Sequence, residues 1–126
     1  MIHGDSIRDG KAEQIRLNGI DCPEKKQPFG TRAKQFTSQE AFGKEVTVKE
    51  VGRDRYGRTL AEVILPDGRS LNQELLKAGL AWWFRKYSKD IGLGDLEDEA
   101  RLANRGLWAD KNPVPPWEWR RTPLFR

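Results

Sequence analysis

The sequence predicts an α+β fold, a small β barrel with helices attached. Three observations predict it. Segments with strand character, VTVKEV and RTLAEVIL among them, fall in the first half of the chain. Capping patterns and helical spacing dominate the second half. The length, 126 residues with 33% charged, suits one domain around one small core. Strands first and helices later is the order of such a barrel.

Residues 2 to 7 read as the end of a strand and residues 12 to 20 as a second strand, with Gly10 and Lys11 in the turn. Asp21 to Pro28 is a polar loop. TRAKQFTSQEAF, residues 31 to 42, sets Ala33, Phe36 and Ala41 near helical spacing and offers Thr31 as an N-cap. VTVKEV (46–51) is β-branched and reads as a strand. RTLAEVIL (58–65) alternates Leu60, Glu62 and Ile64 against Ala61, Val63 and Leu65, followed by a Pro66-Asp67-Gly68 turn. Ser70 and Gln73 make a capping-box pattern for a helix that Gly79 ends. DLEDEARLANR (95–105) is helical, with Gly106 as the stop. The tail from Leu107 to Arg126 holds four prolines and three tryptophans without a period. It is expected as an extended segment lying on the domain rather than as free polyproline.

The net charge of +4 and pI of about 9.4 favour an anionic partner, nucleic acid being the commonest. The excess is modest, 23 bases against 19 acids, so plain solubility explains the charge equally well. No run of eighteen apolar residues offers a membrane span. MIHGDSIRDG lacks the apolar core of a signal peptide. Cys22 is the only cysteine, which rules out an internal disulfide. One histidine, His3, and one cysteine are too few for a zinc site of nitrogen and sulfur ligands. A metal on this chain should be hard and oxygen-bound, Ca²⁺ or Mg²⁺.

The chemistry gathers in IRLNGIDCPE, residues 15 to 24, where Arg16, Asp21 and Glu24 surround Pro23. HGDSI (3–7) adds Asp5 at the end of the first strand. If the first two strands are antiparallel neighbours, Asp5 and Asp21 approach each other, and two close carboxylates repel unless a cation lies between them. Acids in turns are common, and on spacing alone a plain turn is the more frequent outcome. DRYGR (54–58) places Arg58 after a Tyr-Gly turn. Two arginines from separate elements can clamp one phosphate with their planar forks, or each can pair with a nearby acid.

HGDSI, IRLNGIDCPE and DRYGR, in this order and near these spacings, resemble the staphylococcal nuclease (thermonuclease) family. LNQELLKAGLAWWFRKY (71–87) and EDEARLANRGLWAD (97–110) extend the resemblance to about Asp110. It implies a domain over 1–110 with a five-stranded OB-type barrel and about three helices, and a Pro/Trp-rich extension over 111–126. It implies Ca²⁺-dependent hydrolysis of DNA and RNA phosphodiesters with little sequence specificity, leaving 3′-phosphate ends. By the same resemblance, Asp5 and Asp21 are side-chain Ca²⁺ ligands and Cys22 supplies its backbone carbonyl. Glu24 is the general base, and Arg16 and Arg58 stabilise the transition state. Tyr56 helps hold the terminal phosphate region, and Tyr87 falls beside the base pocket. Lys25, Lys26, Arg53 and Arg55 flank the motifs and are placed to follow a phosphate backbone.

Three departures stand out. Only Met1 to Gly4 precede Asp5, so the first strand is expected to be shortened. Cys22 stands where the family often has threonine, and its thiol pKa is expected to be raised. The KKQPFG loop after Glu24 is shorter than in the best-known member. Trp82, Trp83 and Phe84 are expected to pack in the core rather than to stack on bases. The nuclease is expected to be a monomer acting on single-stranded or unpaired nucleic acid, away from membranes, in a secreted or periplasmic setting. The alternative is a non-catalytic OB-fold module that binds nucleic acid without cutting it.

Overall fold

The computed structural model describes residues 4–8, 11–86 and 88–122, with side chains from Gln14 onward. His3, Tyr87 and the side chain of Asp5 therefore lie outside the described residues, as does the start of the first strand. The strands are β1 (Gly4–Arg8), β2 (Lys11–Leu17), β3 (Ile20–Asp21), β4 (Thr47–Arg53), β5 (Thr59–Ile64) and β6 (Trp82–Trp83). The α-helices are α1 (Gly30–Ala41), α2 (Leu71–Lys77), α3 (Ile91–Leu102) and α4 (Pro116–Arg121), with a 3₁₀ turn over Gly106–Ala109. The fold is mixed α and β, as the sequence predicts, with four α-helices among the described residues where about three were expected.

Four strands form one sheet in the order β1-β2-β5-β4, and β3 pairs with β6 in a second, two-stranded sheet. Among the described residues these ladders do not close into a barrel. The interruption lies at Asn18 and Gly19. Gly19 takes a φ of 81°, which breaks the predicted 12–20 strand and sends β3 to a different partner. β1 and β2 are antiparallel neighbours, with Asp5 opposite Gln14. β2 runs parallel to β5, with Arg16 opposite Leu60. In β5, Ala61 and Val63 are buried while Leu60, Glu62 and Ile64 are half-buried, so the smaller residues face the core.

Helix boundaries depart from the sequence reading for local reasons. α1 starts at Gly30, so Thr31 is inside it rather than capping it. The preceding residue, Phe29, takes a φ of 68° and packs against both hydrophobic clusters. A left-handed non-glycine residue costs about 1–3 kcal/mol, which its packing must offset. α2 begins as predicted, with Ser70 Oγ accepting from the Gln73 N–H at 3.3 Å. α3 begins earlier than predicted because Asp90 caps Gly92 N–H at 3.0 Å. The tail is helical over Pro116–Arg121, where an extended segment was expected. Proline at the first helical position has no N–H to leave unsatisfied, so it favours this start.

The main core joins Ile15, Leu17, Ile20, Ala61, Leu71, Leu75 and Leu76. A second cluster joins Trp82, Ala100, Leu107 and Trp108, with Trp117 of the tail packed against it. Glu97 is 1% exposed within this region. It accepts from Trp83 N–H at 2.6 Å and Arg101 Nε at 3.2 Å, so its charge is paired inside.

Candidate active site

Asp21 ends β3, wholly buried, with its backbone paired to Trp82. Arg16 reaches the same place from β2, its Nη2 3.9 Å from Asp21 Oδ2. Arg16 itself is buried. Burial lowers its pKa, the Asp21 carboxylate raises it, and Arg58 and Arg120 lower it further, with a net downward shift. Arg16 and Arg120 thus approach the same Asp21 oxygen.

Glu24 is held by the loop that follows. Gln27 N–H donates to Glu24 carbonyl at 2.9 Å, and Glu24 N–H donates to Gln27 Oε1 at 3.0 Å. Gly30 permits the turn, because a Cβ there would stand 1.9 Å from the Glu24 carbonyl oxygen. Cys22, between the two acids, is 1% exposed. Burial pushes its thiol pKa up, and Asp21 adds to that, which agrees with the direction expected from the sequence.

Arg58 is positioned from the far side. Its Nε donates to Asp54 Oδ2 at 2.6 Å, and its backbone N–H donates to Asp54 Oδ1 at 2.9 Å. Burial raises the Asp54 pKa, but hydrogen bonds from Arg58 and from Tyr56 N–H outweigh it and hold the carboxyl below its ordinary range. Arg58 therefore does pair with a nearby acid, and that pair fixes the start of β5 beside β2. Tyr56 is exposed at the turn, with Arg55 5.3 Å and Arg58 5.7 Å from its ring centre.

Sequence reasoning missed a residue of the tail. Arg120 Nη1 donates to Glu24 Oε1 at 2.7 Å, and its Nη2 donates to Asp21 Oδ2 at 2.9 Å. Burial works against its charge, but these two carboxylates raise its pKa overall. The helix beneath it is anchored. Trp117 stacks on Phe84 at 5.1 Å and meets Trp82 edge-on at 5.7 Å. Gln27 Nε2 donates to the Val114 carbonyl, tying the tail to the Glu24 loop. The available signal was Pro116 as a helix start followed by Trp117 and Arg120 one turn apart. Trp82 is buried in the core, as expected, whereas Phe84 lies between Trp117 and Arg16, with the guanidinium 5.4 Å from its ring.

The acids could hold a hard cation. Asp21 and Glu24 offer oxygens already bridged by one cationic side chain, and Cys22 adds a backbone carbonyl between them. These donors suit Ca²⁺ or Mg²⁺. Among the described residues no three histidine, cysteine, aspartate or glutamate side chains form a metal-binding group. The remaining expected carboxylate, that of Asp5, lies outside the described residues, although its backbone is placed on β1.

Residues 14–110 match the family described as staphylococcal nuclease homologue. The chain is 46% identical over 123 residues to an uncharacterized endonuclease of Escherichia coli O157:H7, covering 95% of this chain and 80% of that protein. It is 42% identical over 134 residues to a micrococcal nuclease of Shigella flexneri, covering 96% and 77% of the two chains. A staphylococcal-like nuclease of Arabidopsis thaliana, CAN1, is 41% identical over 111 residues, with 88% of this chain but 34% of that protein covered. The match over residues 14–110 and the identity over most of the chain show that this protein belongs to the staphylococcal nuclease family.

Proposed function

We propose that this chain is a Ca²⁺-dependent nuclease that hydrolyses DNA and RNA phosphodiesters with little sequence specificity and leaves 3′-phosphate ends. The observation that carries the reading is the joining of Asp21 and Glu24 beside the buried Arg16. The two sheets are read as an opened form of an OB-type barrel, with the site at the break between β2 and β3. A loose calcium site of this kind suits a monomer working where calcium is abundant, in a secreted or periplasmic setting.

Calcium, held by Asp5, Asp21 and the Cys22 carbonyl, would polarise the phosphate and lower the cost of its developing charge. Glu24 takes the proton from the attacking water as the new P–O bond forms. The bond to the 5′ oxygen breaks, and that oxygen leaves as a hydroxyl after gaining a proton from solvent. Arg16 and Arg58 donate to the equatorial oxygens, where charge appears only in the transition state. Tyr56, Tyr87 and Arg55 contact the bound nucleotide, and unpaired strands fit best because their backbone can bend into the site.

Cleavage of a single-stranded DNA oligonucleotide with Ca²⁺, with EGTA and with Glu24→Gln protein tests this. EGTA should abolish cutting, and Glu24→Gln should slow it by roughly 10²–10⁴-fold. Undiminished cutting by Glu24→Gln would remove Glu24 as the base. Folded protein that binds the strand without cutting it would leave only a binding module.

A further inference from the structure

We propose that Arg120 is a third arginine of the site, whose guanidinium neutralises Asp21 and Glu24 until a divalent cation binds there and then turns to the substrate phosphate. The proposal rests on the nuclease reading above. A guanidinium on Asp21 Oδ2 at 2.9 Å and Glu24 Oε1 at 2.7 Å takes one oxygen of each of the two acids proposed to serve the cation and the attacking water. A divalent cation on the same two carboxylates would repel the guanidinium, which favours moving the arginine away. The helix need not move with it. Pro116 is buried, Trp117 is stacked on Phe84, and Gln27 holds the Val114 carbonyl. The Arg120 side chain is 40% exposed, leaving room to swing on its flexible stem.

Its destination follows from the neighbours. Arg16 lies 3.9 Å from the same Asp21 oxygen, and Arg58 directly precedes the β5 residues that pair with β2. Arg16 and Arg120 converge on one carboxylate oxygen, and a phosphate accepts planar forks from several sides. The simpler alternative is that Arg120 only fastens the tail to the domain.

Calorimetric titration separates the two. Ca²⁺ is titrated into the wild type, Arg120→Ala and Arg120→Lys, and thymidine 3′-monophosphate is then titrated into each protein with Ca²⁺ present. Arg120→Ala should bind Ca²⁺ about tenfold more tightly and the nucleotide about tenfold more weakly, a coupling of ordinary size between linked sites. Arg120→Lys should stay near wild type for Ca²⁺ while still binding the nucleotide more weakly, because the charge remains and the fork is lost. A mere fastener predicts a lower melting temperature with Ca²⁺ affinity unchanged or weakened, and that result overturns the proposal alone. Tighter Ca²⁺ binding with unchanged nucleotide binding overturns the phosphate role. No Ca²⁺ binding by either wild type or Arg120→Ala sinks the calcium reading and this proposal together. Should Arg120→Ala not fold, Trp117→Ala, which loosens α4, should shift both affinities in the same directions, and wild-type values for both would refute the idea.

Discussion

Arg16 shows how one residue type serves two needs. Buried beside Asp21, it balances a carboxylate that would otherwise be costly to bury, and it keeps its charge because guanidinium is so basic. Arg16→Lys should lower kcat by an amount approaching the ~3–4 kcal/mol typical of a lost transition-state donor. Saturating kinetics on an oligonucleotide would check it, and an unchanged kcat would take Arg16 out of the chemistry. Asp54 gives a pH signature. Its folded pKa lies below the unfolded value, so its contribution to stability is complete above about 3.9 and fades as pH falls through the lower folded value. Melting curves from pH 5 down to pH 2 should therefore show a smaller drop for Asp54→Asn than for the wild type. Equal drops would mean the Arg58 contact adds nothing. Cys22, buried with a raised pKa, should resist thiol reagents until the protein is unfolded.

At the scale of elements, the Glu24 loop depends on close backbone approach. A Cβ at Gly30 would meet the Glu24 carbonyl at 1.9 Å, far inside contact distance, so either α1 or the loop must shift. Gly30→Ala should cost roughly 1–3 kcal/mol of stability through overpacking and should also depress cleavage, because the displaced group carries the proposed general base. Denaturant unfolding paired with a cleavage assay measures both, and a stable, fully active Gly30→Ala would show that the loop yields without effect. A similar closeness joins α2 to the end of α3. Gly79 has a φ of 73°, a Cβ there would stand 2.2 Å from the Arg105 carbonyl oxygen, and Leu107 N–H donates to the Gly79 carbonyl at 2.9 Å. The helix stop at Gly79 is thus also a packing requirement.

Across the whole molecule, the main core supports the strands that carry the site, while the tryptophan cluster fastens the tail over it. Leu75 is 0% exposed, with the β5 core residues and α2 around it. Leu75→Ala should lose about 2–5 kcal/mol, read by urea unfolding. The flanking bases act at longer range. Binding of a non-cleaved strand should weaken steeply with salt, and Lys25→Ala with Lys26→Ala should flatten the slope of log affinity against log salt by roughly 0.7 for each phosphate that is no longer neutralised. An unaltered slope would place the strand elsewhere on the surface.

The sequence alone determined much of the local structure. The strand character of VTVKEV and RTLAEVIL, the Ser70 cap and the glycine stop at 79 are local preferences, so they were legible residue by residue, whereas α3 ends at Leu102, before the expected stop at Gly106, which instead opens the 3₁₀ turn. Grouping Arg16, Asp21 and Glu24 was equally legible, because nine residues of one chain segment contain all three. Tertiary structure decided what depends on distant partners. Gly19 splits β2 from β3 only because β6 is there to pair with Ile20 and Asp21. Gln27 looked like a loop residue until the Val114 carbonyl supplied its partner. Arg120 stands 99 positions from Asp21, too far for any local pattern to connect them, and it enters the site because burying Trp117 against Phe84 and Trp82 stabilises the helix that carries it.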